Sequence, residues 1–237
     1  MQRALLDELT AALEAGRPVV WASRPSTGEE AVLRPLDLRE GEAESTTGPD
    51  AWPLDEARRA LLEDRSFAVE GPAGEVFLRA YNPPVRVVVV GAVHAAQPLV
   101  RMVRTIGYRP VIVDPRTAFA TAQRFPATRV VTSWPAEALE MLAPDHRTAV
   151  VTLTHDPKLD DPALMAALAT PAFYVGALGS SRTHRRRVER LGNEGLSQEA
   201  LARIHAPVGL DIGARTPEEI AVAILAQIVE RLRTPSS

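Results

Sequence analysis

The 237 residues predict an α/β protein, a small amino-terminal α+β domain over residues 1–83 followed by a doubly wound parallel sheet over residues 84–237. Three observations carry this prediction. Five short β-branched runs, "VRVVVV", "RPVIVD", "TRVVTS", "TAVVTLT" and "AFYVGAL", are almost continuously apolar, as parallel strands covered on both faces must be. Helical patterns separate them, so strand and helix alternate in βαβ units whose right-handed crossovers leave a crevice at the carboxyl ends of the strands. Ahead of them stands "NPP", Asn82 to Pro84, where paired prolines favour an extended boundary.

In chain order, "MQRALLDELTAALEAG" is amphipathic and predicts a helix over Arg3 to Ala15. Its acidic residues, in place of a basic start and an apolar run, argue against a secretory signal. "PVVWAS" and "AVLRPL" read as strands, followed by a loop rich in Gly, Glu, Ser and Thr at residues 39–50. A second helix should begin near Trp52 and Pro53, and "FAVE" and "EVFLRAY" read as returning strands. Beyond the boundary, Leu99, Met102, Val103 and Ile106 follow i, i+3, i+4, i+7 spacing, with Gly107 placed to end that helix. Asp161 before Pro162 carries the chemistry of a helix start, and Ser180 or Ser181 can cap the helix after "YVGALG". Thr216, Pro217 and Glu219 form a capping box before a final helix whose broad apolar surface predicts clamping between elements or a homodimer interface.

The formal net charge of −3 gives no footprint for nucleic acid. The absence of cysteine excludes disulfides, thiolate metal sites and thiol catalysis by this chain. No apolar stretch approaches the roughly 20 residues of a membrane span, and a cytoplasmic protein is predicted.

The most informative stretch is "VVVVGAVHAAQPL". A dinucleotide-binding turn needs a first glycine for its tight bend, a second for close approach to pyrophosphate and a small third residue for helix packing; here these are Gly91, Val93 and Ala96. Asp114 falls 23 residues after Gly91, where an acidic residue would hold ribose hydroxyls. The Val93 side chain would project where a diphosphate normally lies against bare backbone, which argues against tight binding in the usual pose; the plainer alternative is that Gly91 only permits a turn and Asp114 caps or solvates a strand end. Ala92, His94 and Ala95 complete the turn, whose free N–H groups favour anions in either case.

Other polar groups fall at strand ends. Thr154, His155 and Asp156 open from "TAVVTLT" toward the crevice; with no second histidine at ligand spacing, an organic ligand fits them better than a metal. Gly176 and Gly179 would let backbone approach a ligand, and Ser180 and Ser181 lead a helix whose start carries Arg182, Arg185, Arg186 and Arg187. Cations at a helix amino terminus oppose its dipole unless an anion is present, which points to a phosphate-bearing ligand or else to a solvated basic face. Asp211 lies between Gly209 and Gly213 near the last helix. No nucleophile with a base is visible, so no catalytic residue is assigned.

Taken in order, "PPVRVVVVGAVHAAQPL", "GYRPVIVDPR", "RFP", "LTHDPKLDDPAL", "YVGALGSSRTHRRRVERL" and "IHAPVGLDIGARTPEEIAVAILAQIV" resemble the carboxyl-terminal domain of the XdhC/CoxI family, from about Pro83 to Arg233. The resemblance implies a Rossmann-like domain in an accessory protein that binds molybdenum cofactor (molybdopterin). It implies delivery of that cofactor to an apo molybdenum hydroxylase such as xanthine dehydrogenase, with a cysteine desulfurase-type sulfur donor as further partner. Arg116, beside Asp114 in "VDPR", is counted with it among the candidate cofactor-binding residues. This chain departs from the family at Val93, where the turn usually reads GAGH, and in its amino-terminal domain. There "SRPSTGEEAVL" stands in the region of a GSxPR-like segment, and the cysteine of a GGCxE-like segment is missing, so that domain is read as shortened. The alternatives are an NAD(P)-dependent oxidoreductase or a nucleotide-binding enzyme such as a nucleotide hydrolase using the same crevice, and a degenerate member acting by protein contact alone.

Overall fold

The computed structural model describes residues 3–34, 52–71 and 73–234; the loop expected at 39–50 lies outside them. The chain divides into two compact units, Met1–Pro83 and Pro84–Ser237.

The first unit runs α1 (Arg3–Glu14), β1 (Val19–Arg24), β2 (Glu29–Leu33), α2 (Leu54–Glu63), β3 (Phe67–Gly71) and β4 (Gly74–Tyr81). Its strands form an antiparallel sheet in the order β2-β1-β4-β3. Alternation along β1 sends Val20 and Ala22 to one face, where Ala57 and Ala60 of α2 cover them, while Val19 meets Leu9 and Ala12 of α1. Arg24 is buried, ion-paired with Glu29 at 2.7 Å and seated 4.3 Å over the Trp52 ring.

The second unit runs β5 (Arg86–Val90), α3 (Ala96–Thr105), β6 (Arg109–Val113), β7 (Arg129–Val131), α4 (Pro135–Leu142) and β8 (Thr148–Thr152). It continues through α5 (Pro157–Leu168), β9 (Tyr174–Ala177), α6 (Ser181–Asn193), α7 (Gln198–Ala202), β10 (Ile204–His205) and α8 (Pro217–Arg233). The sheet is parallel throughout, in the order β10-β9-β8-β5-β6-β7, so strand order reverses between β5 and β8. The predicted doubly wound α/β class is the one found.

The valine runs explain both faces. Val87 and Val89 of β5, with Val151 and Leu153, pack on one side against Leu99 and Val103 of α3 and Ile224 and Ile228 of α8. Val88 and Val90, with Val111 and Val150, pack on the other against Leu139 of α4, Leu164 of α5 and Leu191 of α6. Each such side chain contributes about 1.5–3 kcal/mol on full burial, so a strand apolar on both faces is the most stabilising choice for a central position.

Helix ends follow local chemistry. Gly107, at φ +82°, ends α3 with a Schellman pair: its own N–H donates to Arg104 and that of Tyr108 to Val103. Thr216 and Glu219 form the reciprocal capping box of α8, and replacing Thr216 by alanine should cost about 1 kcal/mol, read as a lower thermal midpoint. The α5 start corrects the sequence reading. Asp156 caps the helix, accepting from Lys158 N–H at 3.0 Å, with Pro157 at the first position, whereas Asp161 lies a turn inside. Two Asp-Pro pairs offered the same signal, and the chain uses the first; Pro162 is accommodated within the helix. No described helix is long and apolar enough to cross a membrane.

Candidate functional site

The carboxyl ends of β5 and β8, where strand order reverses, are the position at which doubly wound sheets bind ligands. Gly91 follows β5 at φ +114°, donates its N–H to Val113 and sits so close to the segment after β8 that a Cβ would come 2.7 Å from Thr154 Cγ2. Only glycine meets both demands. From there the chain turns through Ala92 to Ala95 into α3. Val93 is half-buried and packs on the core, and His94 is exposed. Among the described residues the N–H groups of Val93, His94 and Ala95 have no acceptor, which leaves three adjacent donors at the head of a helix.

Ala92 donates instead to Asp114, at 2.8 Å. Asp114 is 1% exposed, and its carboxylate also accepts from the Arg116 backbone at 2.9 Å and from Arg116 Nε and Nη2 at 2.9 and 2.8 Å. Burial pushes its pKa up, but these hydrogen bonds outweigh burial and hold it below the usual carboxylate value. Asp114 therefore stands where the sequence placed it, with its acceptor capacity already filled by the protein.

Thr154, His155 and Asp156 form the neighbouring loop. His155 adopts φ +62°, and the Thr154 hydroxyl donates to Asp160 at 2.7 Å while accepting from Asp156 N–H at 3.0 Å. The next loop carries Gly179, Ser180 and Ser181, and Ser180 Oγ caps α6 by accepting from Thr183 N–H at 3.2 Å. Ser181 and Asp211 lie together on the wall of a cavity of about 470 Å³ that also touches Leu178, Gly209 and Ile212. Gly176 has a different role from the one its sequence context suggested: its Cβ would meet Val208 at 2.6 Å and the Tyr174 ring at 2.8 Å, so packing leaves no space for a ligand there.

The arginines separate. Arg182, Arg185 and Arg186 are exposed, whereas Arg187 is buried, which corrects the reading of all four as one cationic surface. Arg187 Nη2 donates to Leu178 O at 2.9 Å and lies 3.8 Å from Asp160 Oδ2. Asp160, also buried, has its pKa raised by burial, against the hydrogen bonds from Thr154 and the Arg187 charge. Through this pair the loop after β8 is tied to the loop after β9. The sequence reading missed it, although Asp160 precedes Ala163 and Leu164, and Arg187 precedes Leu191, at the spacing of an inward helix stripe. Among the described residues no group of three or more histidine and carboxylate side chains is set to hold a metal.

A glycine turn with open amides at the switch point of a doubly wound parallel sheet defines a Rossmann-type domain. The family model of the XdhC Rossmann domain matches residues 87–228, and the chain belongs to that family. It is 34% identical over 148 residues to the molybdenum cofactor insertion chaperone PaoD of Escherichia coli K12, covering 62% of this chain and 40% of that protein. It is 30% identical over 156 residues to a probable xanthine dehydrogenase subunit of Bacillus subtilis 168, covering 65% of this chain and 45% of the other. The crystal structure of a xanthine dehydrogenase from Bacillus halodurans superposes with a TM-score of 0.72 at 27% identity, over 99% of this chain and 66% of that one. The chain thus spans less than half the length of the two curated relatives.

Proposed function

We propose that this protein is a maturation factor that binds molybdenum cofactor and delivers it to an apo molybdenum hydroxylase of the xanthine dehydrogenase kind, in the cytoplasm, with a cysteine desulfurase-type protein as sulfur donor. The observation that carries the reading is the turn after β5, where three amides are open to an anion while the carboxylate expected to hold ribose is engaged by Ala92 and Arg116. That arrangement suits a phosphate better than an adenosine ribose. The name of the Escherichia coli relative supports the same choice of ligand.

The residues fit the cofactor's parts by type. The amides of Val93, His94 and Ala95 are donors for its phosphate, and the exposed Arg182, Arg185 and Arg186 supply positive charge near the head of α6. Thr154, His155, Asp156, Ser181 and Asp211 offer polar groups on the loops between. When bound, the cofactor brings the molybdenum chemistry of the hydroxylase; the role of this chain is to hold it and release it.

The alternative, an NAD(P)-dependent oxidoreductase, draws support from Arg116, whose side chain is 39% exposed beside Asp114, where an arginine can receive a 2′-phosphate. Parallel anaerobic titration with molybdenum cofactor and with NAD(P)(H), followed by calorimetry, separates the two. Preferential cofactor binding is expected; preferential nucleotide binding would move the assignment to the enzyme. Changing Arg185 and Arg186 together to glutamate should weaken the cofactor by about 1–3 kcal/mol, roughly 5- to 150-fold. Unchanged affinity would return those arginines to a solvated surface.

A further inference from the structure

Between the loop after β8 and the first turns of α6 lies a second cavity, of about 200 Å³, whose wall includes His155, Asp160, Asp161, Thr183, Arg186 and Arg187. Its buried polar groups are incompletely paired. Arg187 is 2% exposed, and its Nε and Nη1 have no hydrogen-bond partner; Asp160 is 1% exposed, and its Oδ2 has none either. The two side chains approach only to 3.8 Å, and Arg187 Nε reaches only to 4.0 Å from Asp161. The other atoms are committed: Asp160 Oδ1 to Thr154, Arg187 Nη2 to Leu178, and both Asp161 oxygens to Arg190. Buried polar atoms left over in this way need an explanation, and a partner reached by a small swing of either side chain into the cavity would supply one.

The walls define the partner's chemistry. At the inner end of the cavity Asp161 offsets Arg190 and Asp160 offsets Arg187, with Arg186 exposed at the rim, so that end favours a neutral ligand over an ion of either sign. Such a ligand must accept from a guanidinium and donate to a carboxylate oxygen, which is what a lactam, a carbonyl beside an N–H, does. The volume falls below the roughly 300–1,000 Å³ of sites for drug-sized molecules and suits one ring system rather than a dinucleotide.

We propose that this cavity is a subsite for the pterin ring, held by its 2-amino-4-oxo edge between Arg187 and Asp160. The assignment rests on the reading of the protein as a binder of molybdenum cofactor. Guanine carries the same edge, so the test includes both.

The experiment titrates the full chain with free pterin, guanosine, adenosine, cytidine and inorganic phosphate, using pterin fluorescence for direct binding and competition for the others. Saturable pterin binding is expected, with adenosine, cytidine and phosphate weaker. Asp160→Asn preserves an oxygen for Thr154 while replacing the free acceptor by a donor, and should weaken pterin at least tenfold. Thr183→Phe, at an exposed wall position, should fill the cavity and remove pterin binding without touching the buried pair. Thermal melts establish that each variant is folded.

Absence of saturable pterin binding, retention of pterin affinity in both folded variants, or tighter binding of any of the other four would overturn the subsite. Whole-cofactor binding that survives in both variants while pterin alone fails would overturn the subsite and leave the proposed function standing. Pterin binding lost in both variants, in a protein that takes no molybdenum cofactor, would uphold the subsite and overturn the function.

Discussion

Replacing Asp114 by alanine is expected to destabilise the protein by about 3 kcal/mol, a fall of roughly 6–12 °C in the thermal midpoint for a domain of this size. The magnitude follows from what is left behind. Ala92 N–H would lose its acceptor inside the fold, and an unsatisfied buried group costs about 1–3 kcal/mol. Three hydrogen bonds from Arg116 go as well. Arg116 is 39% exposed and can return to water, which keeps the loss below the 3–5 kcal/mol or so of breaking a fully buried pair.

Asp114 also gives the prediction a sign in pH. Its folded pKa is depressed below the ordinary aspartate value of 3.8, so between those two values the unfolded chain binds more protons than the folded one. Its stabilisation is complete above the unfolded pKa and is lost as pH falls through the folded pKa. The gap in unfolding free energy between the wild type and Asp114→Asn should therefore shrink in acid, below about pH 4. A gap independent of pH would mean that shape, not charge, holds the turn. Asp160 works in the opposite direction: its raised pKa favours the folded state at low pH, and that advantage is lost as pH rises from the unfolded value through the folded one. Denaturant titrations of Asp114→Asn against wild type isolate the first group, because Asp160 is common to both chains.

The fold was legible where composition and position say the same thing. The continuous valine run of β5 requires cover on both faces, and the fold supplies it from α3 and α8 on one side and α4, α5 and α6 on the other. The caps at Ser180 and Thr216 were equally legible, because a cap needs only its own first turn. The two-residue β10 had too few residues to show a pattern, and α5 was misplaced because Asp156-Pro157 and Asp161-Pro162 are the same signal five residues apart.

Less of the site was legible, since its decisive contacts are long in sequence. Asp114 was found by its spacing from Gly91, yet nothing local shows that Ala92 and Arg116 would take up its carboxylate. Arg187 stands within a run of arginines and is separated only by its phase on the helix, and its companion Asp160 is 27 residues earlier. Gly176 invited a reading of ligand approach because its neighbour Val208, which fills the space, comes from beyond another strand.

Gly91→Ala is the second large effect, expected to cost about 2–6 kcal/mol, and it has two physically separable parts. The φ of +114° strains any residue with a Cβ by about 1–3 kcal/mol. The new methyl would also stand 2.7 Å from Thr154 Cγ2 and 3.3 Å from Thr154 N, an overpacking worth another 1–3 kcal/mol or so. Thr154→Ser removes Cγ2 while keeping the hydroxyl that bonds Asp160 and Asp156, so it can relieve the clash but not the strain. In the double variant Gly91→Ala/Thr154→Ser, part of the loss should return, giving a favourable coupling of about 1–3 kcal/mol in a double-mutant cycle of denaturant unfolding. Zero coupling would place the whole cost in backbone strain; full recovery would place it all in the contact with the segment after β8. An intermediate value means that Gly91 is fixed by both demands at once, so the position where strand order reverses tolerates no side chain even though the next turn position has accepted Val93.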